Sequence, residues 1–175
     1  PEFAPPKGPG QDYSIDDVMR FSDGRLRGRD FEDGRRLFHA AACYTCHRFN
    51  GSGGGAGPDL TESGSRFSLR DLVENIVEPS KVISDQYGSE LVELTNGSTL
   101  IGRAYEEGDR LHVVYDPRNP DEEESAPLSQ VRSRKPYPVS LMPQGLLNSM
   151  NRDEILNLLA YVQSGGNPDH SMFKK

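Results

Sequence analysis

The stretch DFEDGRRLFHAAACYTCH, Asp30 to His47, decides how this 175-residue chain is read. Asp30 stands three residues before Asp33, an N-cap pairing, and Phe31, Gly34, Leu37, Phe38, Ala41 and Ala42 recur at helical spacing, which predicts a helix over 31–42. The helix runs directly into Cys43-Tyr44-Thr45-Cys46-His47 and then a glycine-rich loop, Gly51 to Gly57. Outward from there, Ser68-x-x-Asp71 opens a second helix whose Leu69, Leu72, Val73, Ile76 and Val77 share a face until Pro79. Asn151-x-x-Glu154 opens a third, striped by Ile155, Leu156, Leu158, Leu159 and Val162 and closed by Gly165-Gly166. Between the second and third the period changes to alternation. Leu91 to Leu94, Asn96-Gly97 and Thr99 to Ile101 read as a β-hairpin, Leu111 to Tyr115 as another strand and Leu128 to Arg132 as a fourth, after an acidic loop at Asp121 to Glu124.

Composition narrows the class of function. Only 34% of residues are hydrophobic, Gly and Pro number 18 and 13, and Trp is absent, so the apolar core is thin for the length. A net charge of -7 argues against a nucleic-acid binder, which carries a basic face. No apolar run approaches the roughly 20 residues that span a bilayer, and no signal peptide is visible. The opening residues, Pro- and Gly-rich to Gly10, read as a linker or scar; Asp12 to Arg29 reads as a charged lead-in with one short apolar cluster.

Two cysteines make no disulfide framework, so their spacing carries the information. Cys43 and Cys46 are three apart, which on a helical turn puts both sulfurs on one side, and His47 follows at once. Cys-x-x-Cys-His in this arrangement is a c-type haem attachment signature: each sulfur adds to one vinyl group and the imidazole binds the iron. A zinc site would need two further ligands, and His39, His112 and His170 have no finger-like spacing to the pair. A thioredoxin-like dithiol would follow a strand, whereas this motif follows a helix; a disulfide is the third rival. The loop Gly51 to Ala56 matches G-x-G-x-x-A by accident, with no strand before it, and reads as backbone wrapping closely around something flat. For a second iron ligand the residues alone leave Met142, Met150, Met19 and the other histidines in competition, and Met142 has the plain alternative of core packing.

Helix 31–42 with Gly34 and Phe38, then C-Y-T-C-H, Gly57-Pro58-Asp59-Leu60, Ser140-Leu141-Met142-Pro143 and a terminal helix with Tyr161 resemble a class I cytochrome c. More narrowly, Gly64-Ser65-Arg66-Phe67, Glu78-Pro79-Ser80-Lys81, Ile83-Ser84-Asp85-Gln86-Tyr87 and a β insert before the methionine loop resemble the planctomycete and verrucomicrobial haem-binding domain. The resemblance implies one haem c on Cys43 and Cys46, His47 and Met142 as axial ligands, and the Pro58 carbonyl bonded to the far nitrogen of His47. It also implies haem contacts at Leu60, Phe67 and Leu141, a propionate partner in Arg66, whose equal alternative is a solvated surface arginine, and a helix crossing at Gly34 and Tyr161.

The fold expected is mainly α, a class I cytochrome c with three main helices around haem, and an inserted small β-sheet or barrel. Its boundaries are a lead-in at 1–29, the cytochrome in 30–83 and 136–168, the insert at 84–135 and a tail at 169–175. The function expected is single-electron transfer rather than enzymatic turnover, outside the cytoplasm (periplasmic or otherwise exported). Its partner is a redox protein or a dehydrogenase-like domain, which in the resembling family often lies in the same polypeptide. The alternative is a haem sensor or peroxidase-like site with a displaceable sixth ligand.

Overall fold

The computed structural model describes residues 3–23, 26–119 and 121–175. The chain folds as two compact units, one running to Pro79 and resuming at Gln144, the other Ser80–Pro143.

Six helices build the first unit: α1 Ile15–Ser22, α2 Phe31–Ala40, α3 Cys43–Cys46, α4 Ser63–Arg66, α5 Leu69–Val77 and α6 Arg152–Gln163, with a two-stranded ribbon of β1 Arg48–Phe49 and β2 Ser52–Gly53. Local chemistry explains where the longer helices start. Asp30 accepts from the Asp33 N–H, and Ser14, Ser68 and Asn151 each form reciprocal capping boxes with the acidic residue three places on. Such caps satisfy amide groups that have no partner within the helix, each worth about 1 kcal/mol.

Packing then follows from one close approach. A Cβ on Gly34 of α2 would lie 2.4 Å from the Asn157 carbonyl oxygen and 2.8 Å from the Tyr161 Cβ of α6, so only glycine lets these helices cross here. Tyr161 lies against Phe31, Phe38 and Phe49 at ring separations of 5.2, 5.6 and 5.3 Å. Val18, Leu37, Phe38, Val73, Met150, Ile155 and Leu159 complete a fully buried core. Met150 is therefore a packing residue.

A polar network borders the same crossing. Arg36 bridges Asp33 at 2.8 Å and Glu154 at 2.9 Å, and Asn157 donates to Asp33. Glu154 also accepts from the amides of Lys7, Gly8 and Asn151, while Arg36 donates to the carbonyls of Ala4 and Pro5. Residues 4–8, which the sequence suggested lay outside the fold, are tied into the first unit by these bonds. The apolar cluster of the lead-in forms α1, whose Ile15, Val18 and Phe21 are buried.

The second unit is an antiparallel sheet in the order β6-β5-β4-β3-β7, made of β3 Ser89–Leu94, β4 Thr99–Glu107, β5 Arg110–Val114, β6 Glu123–Pro127 and β7 Val131–Tyr137. The β3–β4 hairpin forms at Asn96-Gly97, where Gly97 alone takes a positive φ, +87°. The turn is thus the longer kind with glycine in the left-handed position, rather than a two-residue Asn-Gly turn. A single 3-10 turn at Leu128–Gln130 redirects the chain so that β7 returns beside β3, Ser89 opposite Tyr137. Val92, Leu94, Leu111, Val113 and Ala126 form this unit's own core.

The expectation of a mainly α chain is corrected by these strands: the protein is 31% helix and 21% strand, and the described residues hold a five-stranded sheet as well as six α-helices. Several segments depart from the expected strands, among them β7, which starts after the 3-10 turn and runs to Tyr137 rather than spanning Leu128 to Arg132. Strand β4 runs on through Glu107, and β6 forms inside the acidic segment read as a loop, because pairing with β5 overrides the poor strand propensity of Glu, Ser, Ala and Pro. Glu123 is held there by His112 Nδ1 and by the Tyr105 hydroxyl, each at 2.6 Å.

Burial pushes the Glu154 and Asp33 carboxyls upward, but the donors around them outweigh it and hold both below the usual carboxylate range. Their contribution is present above the pKa of a free carboxylate and is lost as pH falls through the lower folded values. Glu154→Gln is expected to cost about 2 kcal/mol at neutral pH. The gap between parent and variant should close on acidification, as chemical denaturation across a pH series will read.

Candidate functional site

Helix α2 ends at Ala40, two residues before the expected boundary, because Ala42 turns left-handed at φ +59°. An alanine in this conformation costs about 1 kcal/mol. The turn restarts the chain as α3, in which Cys43 and Cys46 share one helical turn and are not joined in a disulfide. Burial pushes the Cys43 thiol up to about 12, so it is a neutral thiol rather than a thiolate.

His47 follows in extended conformation, its amide still bonded to the Cys43 carbonyl at 2.9 Å. Its Nδ1 lies 2.8 Å from the Pro58 carbonyl oxygen. A carbonyl only accepts, so Nδ1 carries the proton and Nε2 keeps its lone pair. Burial pushes the ring below the ordinary histidine range, the Pro58 bond acting in the opposite direction. The side chain is thus a neutral imidazole, the form that binds a metal.

The glycine-rich loop holds this turn from outside. Gly54 N–H donates to the Tyr44 carbonyl at 3.0 Å, Gly57 N–H to Cys46 at 2.8 Å and Leu60 N–H to Arg48 at 2.9 Å. A Cβ on Gly54 would lie 2.0 Å from the Thr45 carbonyl oxygen. What the loop wraps is the cysteine-histidine turn itself.

The sequence-derived residues fall into two groups. Cys43, Cys46, His47 and Pro58 are joined by these bonds, and Cys43 and Leu60 are both half-buried against the core of the first unit. Arg66 ends α4, exposed and without an ion pair among the described residues, and Phe67 beside it is 47% exposed. Leu141 and Met142 belong to the second unit, half-buried, with the Met142 amide bonded to the Ser140 hydroxyl at 3.1 Å. Among the other histidines, His39 is packed between Phe3 and Tyr44, at 4.1 and 4.7 Å between ring centres. His112 is engaged with Glu123. Gly57 lies against the His47 ring, a contact that sequence reasoning did not find; the Gly-Pro step that begins ten residues after the histidine was its only trace.

Among the described residues no group of three or more His, Cys, Asp or Glu is arranged to hold a metal ion, and the cysteine turn follows a helix. Residues 31–92 match the family model described as Cytochrome c, a span that includes Cys43, Cys46, His47 and Pro58 and stops before Met142. No curated protein matches significantly. No helix among the described residues is long and apolar enough to cross a membrane.

The match supports a haem-binding electron-transfer module, and the donor set fits covalent haem c. Two cysteine sulfurs stand on one turn, next to an imidazole with a metal-competent nitrogen. Cys43→Ala should leave one vinyl group conjugated with the ring. The pyridine haemochrome band of the denatured protein is then expected at longer wavelength than in the parent, with haem still resisting acid-acetone extraction through Cys46.

Proposed function

We propose that the chain is a monohaem electron-transfer domain with haem attached through Cys43 and Cys46 and iron ligated by His47 and Met142. The observation that carries this reading is the His47 Nδ1–H bond to Pro58, which reserves Nε2 for the metal immediately beside the paired thiols. Haem supplies the one-electron couple; the protein's residues set its preference. A hydrogen bond that strengthens imidazole as a donor favours the oxidised state. A thioether favours the reduced state and closes the sixth position to exogenous ligands. The case for Met142 rests on the Ser140-Leu141-Met142-Pro143 motif.

The remaining assignments follow from that role. Leu60, Phe67 and Leu141 contact the ring and Arg66 pairs with a propionate. An acidic surface, net charge -7, suits a basic or mixed redox partner, or a dehydrogenase-like domain of the same polypeptide. Covalent haem attachment assigns the protein to the periplasm or another exported location, and the planctomycete-type domain remains the narrower family assignment.

Absorption spectra of the oxidised and reduced holoprotein test the ligand pair. The parent should show the weak far-red band of methionine bound to ferric iron and exclude carbon monoxide when reduced. Met142→Ala should lose the band and bind carbon monoxide. A parent without the band that takes up carbon monoxide would instead be a sensor or peroxidase-like haem.

A further inference from the structure

His47 is held at two points by consecutive residues of one loop. At the edge of the ring, Nδ1–H donates to the Pro58 carbonyl at 2.8 Å. At its face lies Gly57: a Cβ built there would meet Cε1 at 2.6 Å and Nδ1 at 2.8 Å, closer than a Cβ approaches any heavy atom, and Nε2 at a tight 3.1 Å. The loop cannot simply drift away from the ring, because the Gly57 amide is bonded to the Cys46 carbonyl at 2.8 Å, within the same turn that carries the histidine.

We propose that Gly57 is a positioning residue for the iron ligand: the absence of a side chain at this one position lets the loop close on the imidazole and sets the Nδ1–H to Pro58 bond that tunes the iron. The inference rests on the reading of His47 as the proximal ligand. Its logic is geometric. Adding a methyl group forces either the ring or the loop to give way. If the ring tilts, Nδ1 leaves the carbonyl; if the loop retreats, the carbonyl leaves Nδ1, since Gly57 and Pro58 are neighbours in the chain. Both movements lengthen the same hydrogen bond and weaken the imidazole as a donor, which disfavours the oxidised state.

Gly55 supplies the control. It lies in the same loop, needs no positive φ, and a Cβ added to it meets nothing within 4 Å. Gly55→Ala therefore stiffens the loop as Gly57→Ala does without touching the ring.

The experiment compares holoprotein of the parent, Gly57→Ala and Gly55→Ala by equilibrium redox titration and by NMR of the His47 ring in the reduced state. Gly57→Ala is expected to raise the reduction potential and to speed exchange of the Nδ1 proton about tenfold, the scale of one weakened hydrogen bond. Gly55→Ala should match the parent in both. Equal shifts in the two variants, or none in Gly57→Ala, would overturn the proposal. Should Gly57→Ala fail to mature, the parent decides alone: a nuclear Overhauser contact between the Gly57 α-protons and His47 Hε1 is required, and its absence overturns the assignment. A parent whose haem lacks a low-spin histidine-ligated spectrum would refute the reading of His47 itself, an outcome separate from any shift between variants.

Discussion

The contact between α2 and α6 at Gly34 is the constraint on which the first unit depends. Helix α2 is ten residues long and packs against α6, so its direction is set by how closely it approaches that helix. That direction fixes where Ala40 ends and where the left-handed Ala42 begins the cysteine turn. The polar bonds of Arg36, Asp33, Asn157 and Glu154 lie around the crossing and leave none of these charged groups without a partner. Removing one would strand another in a poorly solvated place, which makes the network more costly to break than the more exposed pair of Arg134 on β7 with Glu106 on β4.

The site is then built by transfer of position. The crossing places α2, α2 delivers the turn, and the turn carries two sulfurs and an imidazole whose tautomer is chosen by one carbonyl. Each stage relies on backbone geometry, so the chemistry-bearing side chains need few neighbours of their own. A histidine restrained in this way would lose little freedom on binding a metal.

Much of this was readable from residues whose effect is local. The capping pairs at Asp30, Ser68 and Asn151, and the Cys-x-x-Cys-His spacing, act within a single turn, and the structure has helices at each. What escaped the sequence depends on contacts distant along the chain. Residues 4–8 look like linker because their own composition offers no core; it is Arg36 and Glu154, far along the chain, that hold them. Strand β6 looks like a solvated acidic loop because its stabilisation comes from β5 and from His112 and Tyr105. The mainly α expectation failed for the same reason, since hairpin propensity showed where β3 and β4 meet but not how far the sheet extends. The Gly57 contact is legible only in three dimensions, a glycine in a glycine-rich loop giving no sign of which member touches a ring.

The order of strands in the sheet bears on how such a chain could come to exist. The sheet's first and last strands in chain order are neighbours, Ser89 opposite Tyr137, so the chain enters and leaves the sheet side by side. Paired strands lie only about 5 Å apart. Once the sheet has formed, only the stretches 80–88 and 138–143 remain to be closed as loop, a shorter closure than that of the whole segment. Such a segment can be lengthened, decorated or exchanged while its host pays almost nothing in chain entropy, leaving the haem turn and the sheet free to evolve at different rates.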